Sequence, residues 1–332
     1  MSHQVILNAA RAGELLTGDN DLPTLVRGGG APARTAWDDF FQGRLCNRHT
    51  RLCYERAVRC FLGWAHAAGK RELHEITAGD VGRYLAGMGG GLAKKKQHLS
   101  ALRRYFNLQV ERHICLLNPA AVAETERLSV VEGRTPNITP DQAGRLYRSI
   151  DVSGVTGLRD RAIIATLNFT GARAGAVGRL RLKDYYDAGD QWMLLFWEKG
   201  NKSRQIPVSH DLKQYLDADL DIAGLREEHG TGGKEFLFRT ARGRENRLTD
   251  SPMTSDDIGR MLKRRLRDAG LPARLTPHSF RVAVATDLDD QAVRLEEIQH
   301  LLGHSDPRTT KVYIRNKQKV ARNLVERIRV GR

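Results

Sequence analysis

The sequence predicts a mainly α-helical protein of two domains, in which an all-helical domain precedes a mixed α/β domain that is mostly helical with a small antiparallel sheet. The chain has 332 residues, which fits two domains of about 100–200 residues each. Apolar residues recur at the spacing of amphipathic helices through most of the chain. One pair of strand-like runs, residues 191–198 and 205–208, interrupts this pattern and predicts a hairpin with a Gly-Asn turn.

The first domain is predicted from its helix-start signals. Residues 1–34 are expected to be a flexible leader, because they end in the Gly/Pro-rich stretch RGGGAPAR. Residues 35–120 then carry helical periodicity. Within them, Thr77 and Asp80 predict a capping box. A basic helix follows over residues 91–112, after three consecutive glycines.

The second domain is predicted to begin after a linker at residues 121–136 and to span residues 137–332. Thr139 and Gln142 flank a proline, which predicts a strong helix start and a helix over residues 140–150. Further helices are expected near residues 157–170, 209–225, 255–269, 278–289, 294–302 and 306–328. The tail at about 315–332 has one apolar face. It either closes its own domain or docks on a neighbouring copy of the chain.

Composition limits the classes of function. Lys and Arg exceed Asp and Glu, which gives a net charge of +15 and favours a polyanionic partner such as nucleic acid. No apolar run approaches the roughly 18–20 residues of a membrane-spanning helix, and the N-terminal residues do not resemble a signal peptide. The four cysteines lack the spacing of a metal site. These features predict a cytoplasmic protein with reduced cysteines, no membrane contact and no bound metal.

Two clusters near the C-terminus and two residues upstream suggest chemistry at phosphate. An Arg follows a Thr-Gly turn, a Lys sits at the hairpin tip, a His precedes an Arg by three residues, and a Gly-His pair precedes a Tyr by nine: Arg173, Lys199, His278, Arg281, His304 and Tyr313. Guanidinium groups match phosphate oxygens, and a tyrosine can serve as a nucleophile if its phenol, of pKa about 10, is activated. No acidic trio for Mg²⁺ accompanies them. The set predicts phosphoryl transfer through a covalent protein–DNA bond, without metal or other cofactor.

The order and spacing of these residues resemble the tyrosine recombinase (phage integrase) family, and LLGHSDPRTTKVY is the most specific piece. The helical domain also resembles the core DNA-binding domain of that family, so the likeness covers nearly the whole chain. It implies the tyrosine recombinase fold and site-specific recombination or integration. It also implies strand exchange through a Holliday junction in a tetramer on double-stranded DNA with inverted repeats.

The resemblance assigns a role to each residue. Tyr313 would attack the scissile phosphate and form a 3′-phosphotyrosyl bond, and Lys199 would protonate the 5′-oxygen. Arg173 and Arg281 would hold the non-bridging oxygens. The two histidines complete the set: His278 would accept or donate the proton near the nucleophile, and His304 would hydrogen-bond the phosphate.

Two positions depart from the family pattern. Ala176 stands three residues after the first arginine, where a carboxylate is common, and Asp184 is an alternative source of that carboxylate. Val282 stands where many members have a histidine. Neither position is a primary catalytic group.

Further basic residues are predicted to contact the DNA backbone. They lie on the basic helix and in the hairpin: Lys94, Lys95, Lys96, Arg103, Arg104, Lys202 and Arg204. The same reasoning applies more weakly to residues 263–267, which read KRRLR.

Two alternative functions remain open from the sequence. One is a catalytically idle DNA-binding or regulatory protein on the same fold, and the other is relaxation of supercoils as in type IB topoisomerases. Within the recombinase interpretation, the enzyme belongs to a transposon, plasmid or other integrating element, or resolves multimers.

Overall fold

The computed structural model describes residues 22–125, 135–197, 203–225, 235–242 and 247–304, together with residue 310. The chain divides into two compact units, residues 1–129 and 130–332. In the described residues, helices predominate, and both small sheets are antiparallel and lie in the second unit. The mainly α fold class with a small antiparallel sheet is therefore confirmed. The division after residue 129 falls within the predicted linker, of which residues 126–134 lie outside the described part.

The first unit is built from helices, and the described part of it contains no strand. They are α1 (Thr24–Gly28), α2 (Gly30–Asp38), α3 (Arg48–Ala67), α4 (Ala78–Gly87) and α5 (Leu92–Glu111), with a π-helical turn at Asp39–Arg44 and a 3₁₀ turn at Leu73–Glu75. The predicted capping box opens α4, because the Thr77 hydroxyl accepts from the Asp80 N–H and the Asp80 carboxylate accepts from the Thr77 N–H. Aromatic side chains fill the core, where the Tyr105 ring meets those of Trp37 and Phe40.

The predicted flexible leader is wrong for residues 24–34. These residues form α1 and the start of α2, and Leu25, Val26 and Ala33 are buried in the core of the unit. Pro32 falls in the first turn of α2, where a proline removes no helical hydrogen bond. The Gly/Pro content therefore marks a helix start here. The rest of the predicted leader, residues 1–21, lies outside the described residues.

The second unit has more elements. Its helices are α6 (Pro140–Ser149), α7 (Val155–Thr170), α8 (Ala174–Val177), α9 (His210–Ala223), α10 (Ser255–Asp268), α11 (Pro277–Asp290) and α12 (Leu295–Leu302). Its strands are β1 (Tyr185–Asp187), β2 (Trp192–Trp197), β3 (Ser203–Pro207), β4 (Arg239–Ala241) and β5 (Leu248–Pro252), and a 3₁₀ turn at Leu182–Asp184 precedes β1.

Helix α7 is the centre of the second unit, because it contacts α8, α9, α10 and α11. Its interior position explains its sequence, in which apolar and small residues occur on all sides. The first sheet has the order β1-β2-β3, with Leu194 of β2 opposite Tyr185 of β1 and Ile206 of β3. Strands β4 and β5 form a separate hairpin. A helix with the length and apolar character needed to cross a bilayer does not occur among the described residues.

Candidate active site

Arg281 is the most buried of the described residues predicted for catalysis, with 1% of its surface exposed. It lies in the second turn of α11, whose start is fixed by a capping box between Thr276 and Ser279. Its Nη1 donates a 2.7 Å hydrogen bond to the Gly171 carbonyl, and its Nη2 donates to the Leu302 carbonyl. Because these carbonyls end α7 and α12, the partial negative charge of two helix C-termini faces the buried cation.

The Thr-Gly turn between α7 and α8 positions Arg173. Gly171 has a φ of +58°, and a Cβ at this position would lie 2.7 Å from Leu302 Cδ2, so a side chain does not fit. The Thr170 hydroxyl accepts a 3.2 Å hydrogen bond from the Ala172 N–H, which holds the turn closed. Arg173 follows as the N-cap residue of α8, with its side chain exposed.

A pocket of about 260 Å³ lies where this turn, α10 and the start of α11 meet. Arg173, His278 and Arg281 line it, and Ser255 and Gly259 of α10 complete the opposite wall. The structure therefore brings three of the predicted catalytic residues to one cavity, although the last follows the first by 108 positions in sequence.

His278 reaches the surface at this pocket. Desolvation of the ring lowers its pKa below the ordinary 6.5, and the positive charges of Arg281 and Arg173 lower it further. The imidazole is therefore neutral at pH 7, so one ring nitrogen can accept a proton there.

His304 is buried, with 6% of its surface exposed, directly after the glycine that ends α12. Its Nδ1 shares a 2.9 Å hydrogen bond with the Thr310 hydroxyl, and the Gln299 amide donates to its carbonyl at 2.9 Å. Burial lowers the pKa of His304 to about 3, and the charges of Arg281 and Arg173 add to the effect. His304 is thus a neutral hydrogen-bonding group at physiological pH.

Several predicted residues lie outside the described part of the chain. Lys199 and Lys202 belong to the connection between β2 and β3, and Tyr313 and the tail at 315–332 follow the last described residue. The strands that flank Lys199 pair as predicted, as far as Trp197 opposite Ser203. The roles of these residues stay predictions.

Arg204 does not fit its predicted role as a DNA contact. Only 8% of its surface is exposed, its Nη1 donates to the Leu301 carbonyl, and its guanidinium lies 5.4 Å from the centroid of the Phe196 ring. Arg281 is also buried but lines the pocket, whereas Arg204 is not among the residues that line it. The basic hairpin sequence misled the prediction, because side chains alternate between the two faces of a strand.

One departure from the family pattern, Ala176, has a local explanation. Ala176 is buried at 3% exposure in the core of the unit, where a carboxylate would be desolvated. Asp184 is buried as well, and its Oδ2 accepts the Arg181 N–H at 2.9 Å. Asp184 therefore caps the turn before β1.

The basic helix α5 in the first unit is partly exposed. Lys94 and Arg104 are exposed, Lys95 and Lys96 are half-buried, and Arg104 lies 5.8 Å from the centroid of the Tyr54 ring. All four can present positive charge at the surface of this unit, and their contact with DNA stays a prediction.

Arg103, predicted as a fifth contact on this helix, also has a structural role. Its Nε donates to the Ala120 carbonyl at 3.1 Å and its Nη2 to the Ala123 carbonyl at 2.6 Å. The guanidinium therefore fixes the chain that follows α5. Because Arg103 is also exposed, its contact with DNA stays a prediction.

Two arginines of helix α10 form hydrogen bonds with a buried carboxylate. Arg264 and Arg265, weakly predicted to contact DNA, donate to Oδ2 of the fully buried Asp160 at 3.0 and 2.9 Å. They attach α10 to α7. Arg264 and Lys263 are nevertheless exposed, and their contact with DNA stays a prediction.

The sequence did not reveal Ser255, Gly259 or Thr310 as parts of the site. The first two lie on one face of α10, four residues apart, but nothing local indicates that this face meets the pocket. Thr310 lies only six residues after His304, so the short spacing was the one available signal.

Two guanidinium groups and two neutral imidazoles thus lie close together in the second unit. The guanidiniums suit the non-bridging oxygens of a phosphodiester, and the imidazoles suit proton transfer and hydrogen bonding near neutral pH.

Comparisons with known proteins show the family of this chain. A model of the phage integrase family matches residues 136–319, more than half of the chain. Tyrosine recombinase XerC of Lactobacillus leichmannii is 29% identical over 273 residues, which cover 80% of this chain and 87% of that protein. The chain therefore belongs to the phage integrase family.

Solved structures share the fold. A lambda integrase (75–356) dimer bound to a COC′ core site has a TM-score of 0.64 at 20% identity, and the match covers 86% of this chain and 96% of that one. A lambda integrase tetramer bound to a Holliday junction has a TM-score of 0.63 at 19% identity, with 86% and 78% covered.

Proposed function

We propose that this chain is a site-specific DNA recombinase or integrase that cleaves and rejoins strands through a 3′-phosphotyrosyl intermediate. The observation that carries the proposal is the pocket shared by Arg173, His278 and Arg281. His304 adjoins it, because Arg281 donates to the carbonyl two residues earlier. The family match extends past Tyr313.

In the proposed reaction, the Tyr313 oxygen attacks the scissile phosphorus while the bond from phosphorus to the 5′-oxygen breaks. The phenolic proton passes to His278, and Lys199 protonates the leaving oxygen. Arg173 and Arg281 hold the non-bridging oxygens as negative charge develops. Attack by the 5′-hydroxyl of a partner strand reverses these steps and joins the strands, so neither metal nor nucleotide takes part.

We further propose that the substrate is double-stranded DNA with inverted repeats and that four copies act together. The lambda integrase structures, bound to a core site as a dimer and to a Holliday junction as a tetramer, support a DNA substrate and the joint action of four copies. Positive charge at Lys94, Lys95, Lys96 and Arg104 would contact the backbone. A DNA substrate also fits the cytoplasmic location predicted from the cysteines.

The test is covalent trapping on nicked duplexes that the protein itself selects from a randomised pool. Wild-type protein should form a complex with DNA that survives denaturing electrophoresis. The Tyr313→Phe variant should bind the same duplex equally well and form no such complex. A complex trapped by Tyr313→Phe would show that the nucleophile is misassigned. Binding without any complex from wild type would favour a catalytically idle DNA-binding protein, and cleavage of duplexes of any sequence would favour a topoisomerase.

A further inference from the structure

Arg204 connects the predicted lysine hairpin to the helix end that carries His304. It lies in β3, two residues after Lys202, and its cross-strand neighbour in β2 is Phe196. Its guanidinium covers the Phe196 ring and reaches out of the sheet to the Leu301 carbonyl in the last turn of α12. Burial of a charged group is costly unless it is hydrogen-bonded, so this contact is a defined part of the fold.

The last turn of α12 shows why that carbonyl needs a side-chain donor. The final four carbonyls of a helix lack partners within the helix. Here the first two are satisfied by backbone N–H groups, since His304 donates to Gln299 at 3.1 Å and Gly303 donates to His300 at 3.0 Å. The other two each accept from a guanidinium.

Those two carbonyls are adjacent, and their donors approach from different elements. Arg204 of β3 donates to Leu301, and Arg281 of α11 donates to Leu302. The turn that presents His304 is therefore held by the sheet as well as by the site arginine. Both cations also complement the negative end of the α12 dipole.

We propose that Arg204 is a positioning residue, which holds the 301–304 turn, and with it the His304 ring, in the geometry required for strand cleavage. The catalytic part of this proposal rests on the proposed function. Arg204 also supports the neutral state of His304, since its charge is among those that lower the histidine pKa.

The test uses three variants. Arg204→Met removes the charge and the donor while keeping an apolar stem over Phe196, and Arg204→Lys keeps a cationic donor. Arg239→Met is the matched control, because Arg239 is also buried in a strand and donates to a carbonyl, that of Phe236 at 3.2 Å, but belongs to β4.

Two measurements are made on each variant: hydrogen–deuterium exchange of the free protein, and single-turnover cleavage with affinity on the selected duplexes. In Arg204→Met, the amides of residues 299–304 should exchange at least about tenfold faster. Its cleavage should slow by about tenfold or more with less than about threefold change in affinity. Arg204→Lys should restore both properties, and Arg239→Met should change neither.

Unchanged exchange at residues 299–304 in Arg204→Met would overturn the proposal, as would wild-type cleavage in that variant. A loss of affinity as large as the loss of rate would instead make Arg204 a DNA contact. If wild-type protein cleaves no selected duplex, the proposed function fails, and the exchange result still decides whether Arg204 holds this turn.

Discussion

The two arginines assigned to the phosphate differ in burial, and their alanine variants should differ accordingly. Arg281 is 1% exposed and donates to two helix-end carbonyls, whereas Arg173 is exposed at the pocket. Replacing Arg281 should therefore damage both the fold and the chemistry. Replacing Arg173 should damage the chemistry alone.

The size of the folding effect follows from the contacts of Arg281. Each hydrogen bond from a charged donor contributes about 1.5–3 kcal/mol, so losing two removes about 3–6 kcal/mol. Relief of the desolvation of the buried cation offsets part of this loss. We expect Arg281→Ala to lower the free energy of unfolding of the second unit by about 2–4 kcal/mol, which corresponds to a fall in Tm of about 5–15 °C for a unit of this size. Arg173→Ala should change stability by less than about 0.5 kcal/mol.

Thermal unfolding followed by circular dichroism measures the first effect, and single-turnover trapping well below the Tm measures the second. Both variants should slow cleavage by about 30- to 1000-fold, equivalent to about 2–4 kcal/mol of transition-state stabilisation. An Arg281→Ala protein with the wild-type Tm would refute the reasoning from burial. An Arg173→Ala protein with an equally low Tm would refute the distinction between the two residues.

Two further predictions concern protons. The pKa of His304 is about 3 in the fold and about 6.5 when unfolded. Because the unfolded chain binds the extra proton between these values, wild type should lose as much as about 4 kcal/mol of stability as the pH falls from 7 to 3. Urea titrations at several pH values measure the free energy of unfolding, and in His304→Asn this pH-dependent loss should be absent. Parallel curves of unfolding free energy against pH for the two proteins would contradict the prediction. Lys199→Ala should cleave ordinary DNA about 100-fold more slowly, but cleave DNA with a 5′-bridging sulfur at nearly the wild-type rate, because a thiolate leaves without a proton. Lys202→Ala is the matched control and should cleave both substrates at nearly the wild-type rate. If Lys202→Ala is slow and is rescued by the sulfur substrate while Lys199→Ala is not, Lys202 is the general acid.

The elements with local signals were predictable from the sequence. The predicted capping box of Thr139 and Gln142 opens α6, and α9, predicted near residues 209–225, begins after its N-cap residue Ser209. Thr254 and Ser255 are both residue types that cap helices, and Thr254 is the N-cap residue of α10. Asp257 decides between them, because it lies three residues after Thr254 and completes the capping box.

Contacts between distant residues were not predictable. The bond from Arg281 to Gly171 spans 110 positions, and the one from Arg265 to Asp160 spans 105. The local sequence around a basic residue does not indicate whether its side chain binds a phosphate or a buried carboxylate. Family order selected Arg173 and Arg281, which line one pocket, whereas Arg204 was assigned to DNA on charge alone and is buried.

Residues 301–304, LLGH, are the most informative stretch of the sequence because contacts with distant elements constrain them. The Leu302 side chain is fully buried and touches the space above Gly171 that a Cβ would need. The backbone carbonyls of Leu301 and Leu302 accept hydrogen bonds from Arg204 and Arg281. Gly303, at a φ of +62°, ends α12, and His304 is the next residue. The motif is thus held by contacts with three elements, α7, β3 and α11, and by the turn at Gly303. Loss of any one of these contacts should be felt at the same imidazole, which is why substitutions far from the phosphate can act on the chemistry.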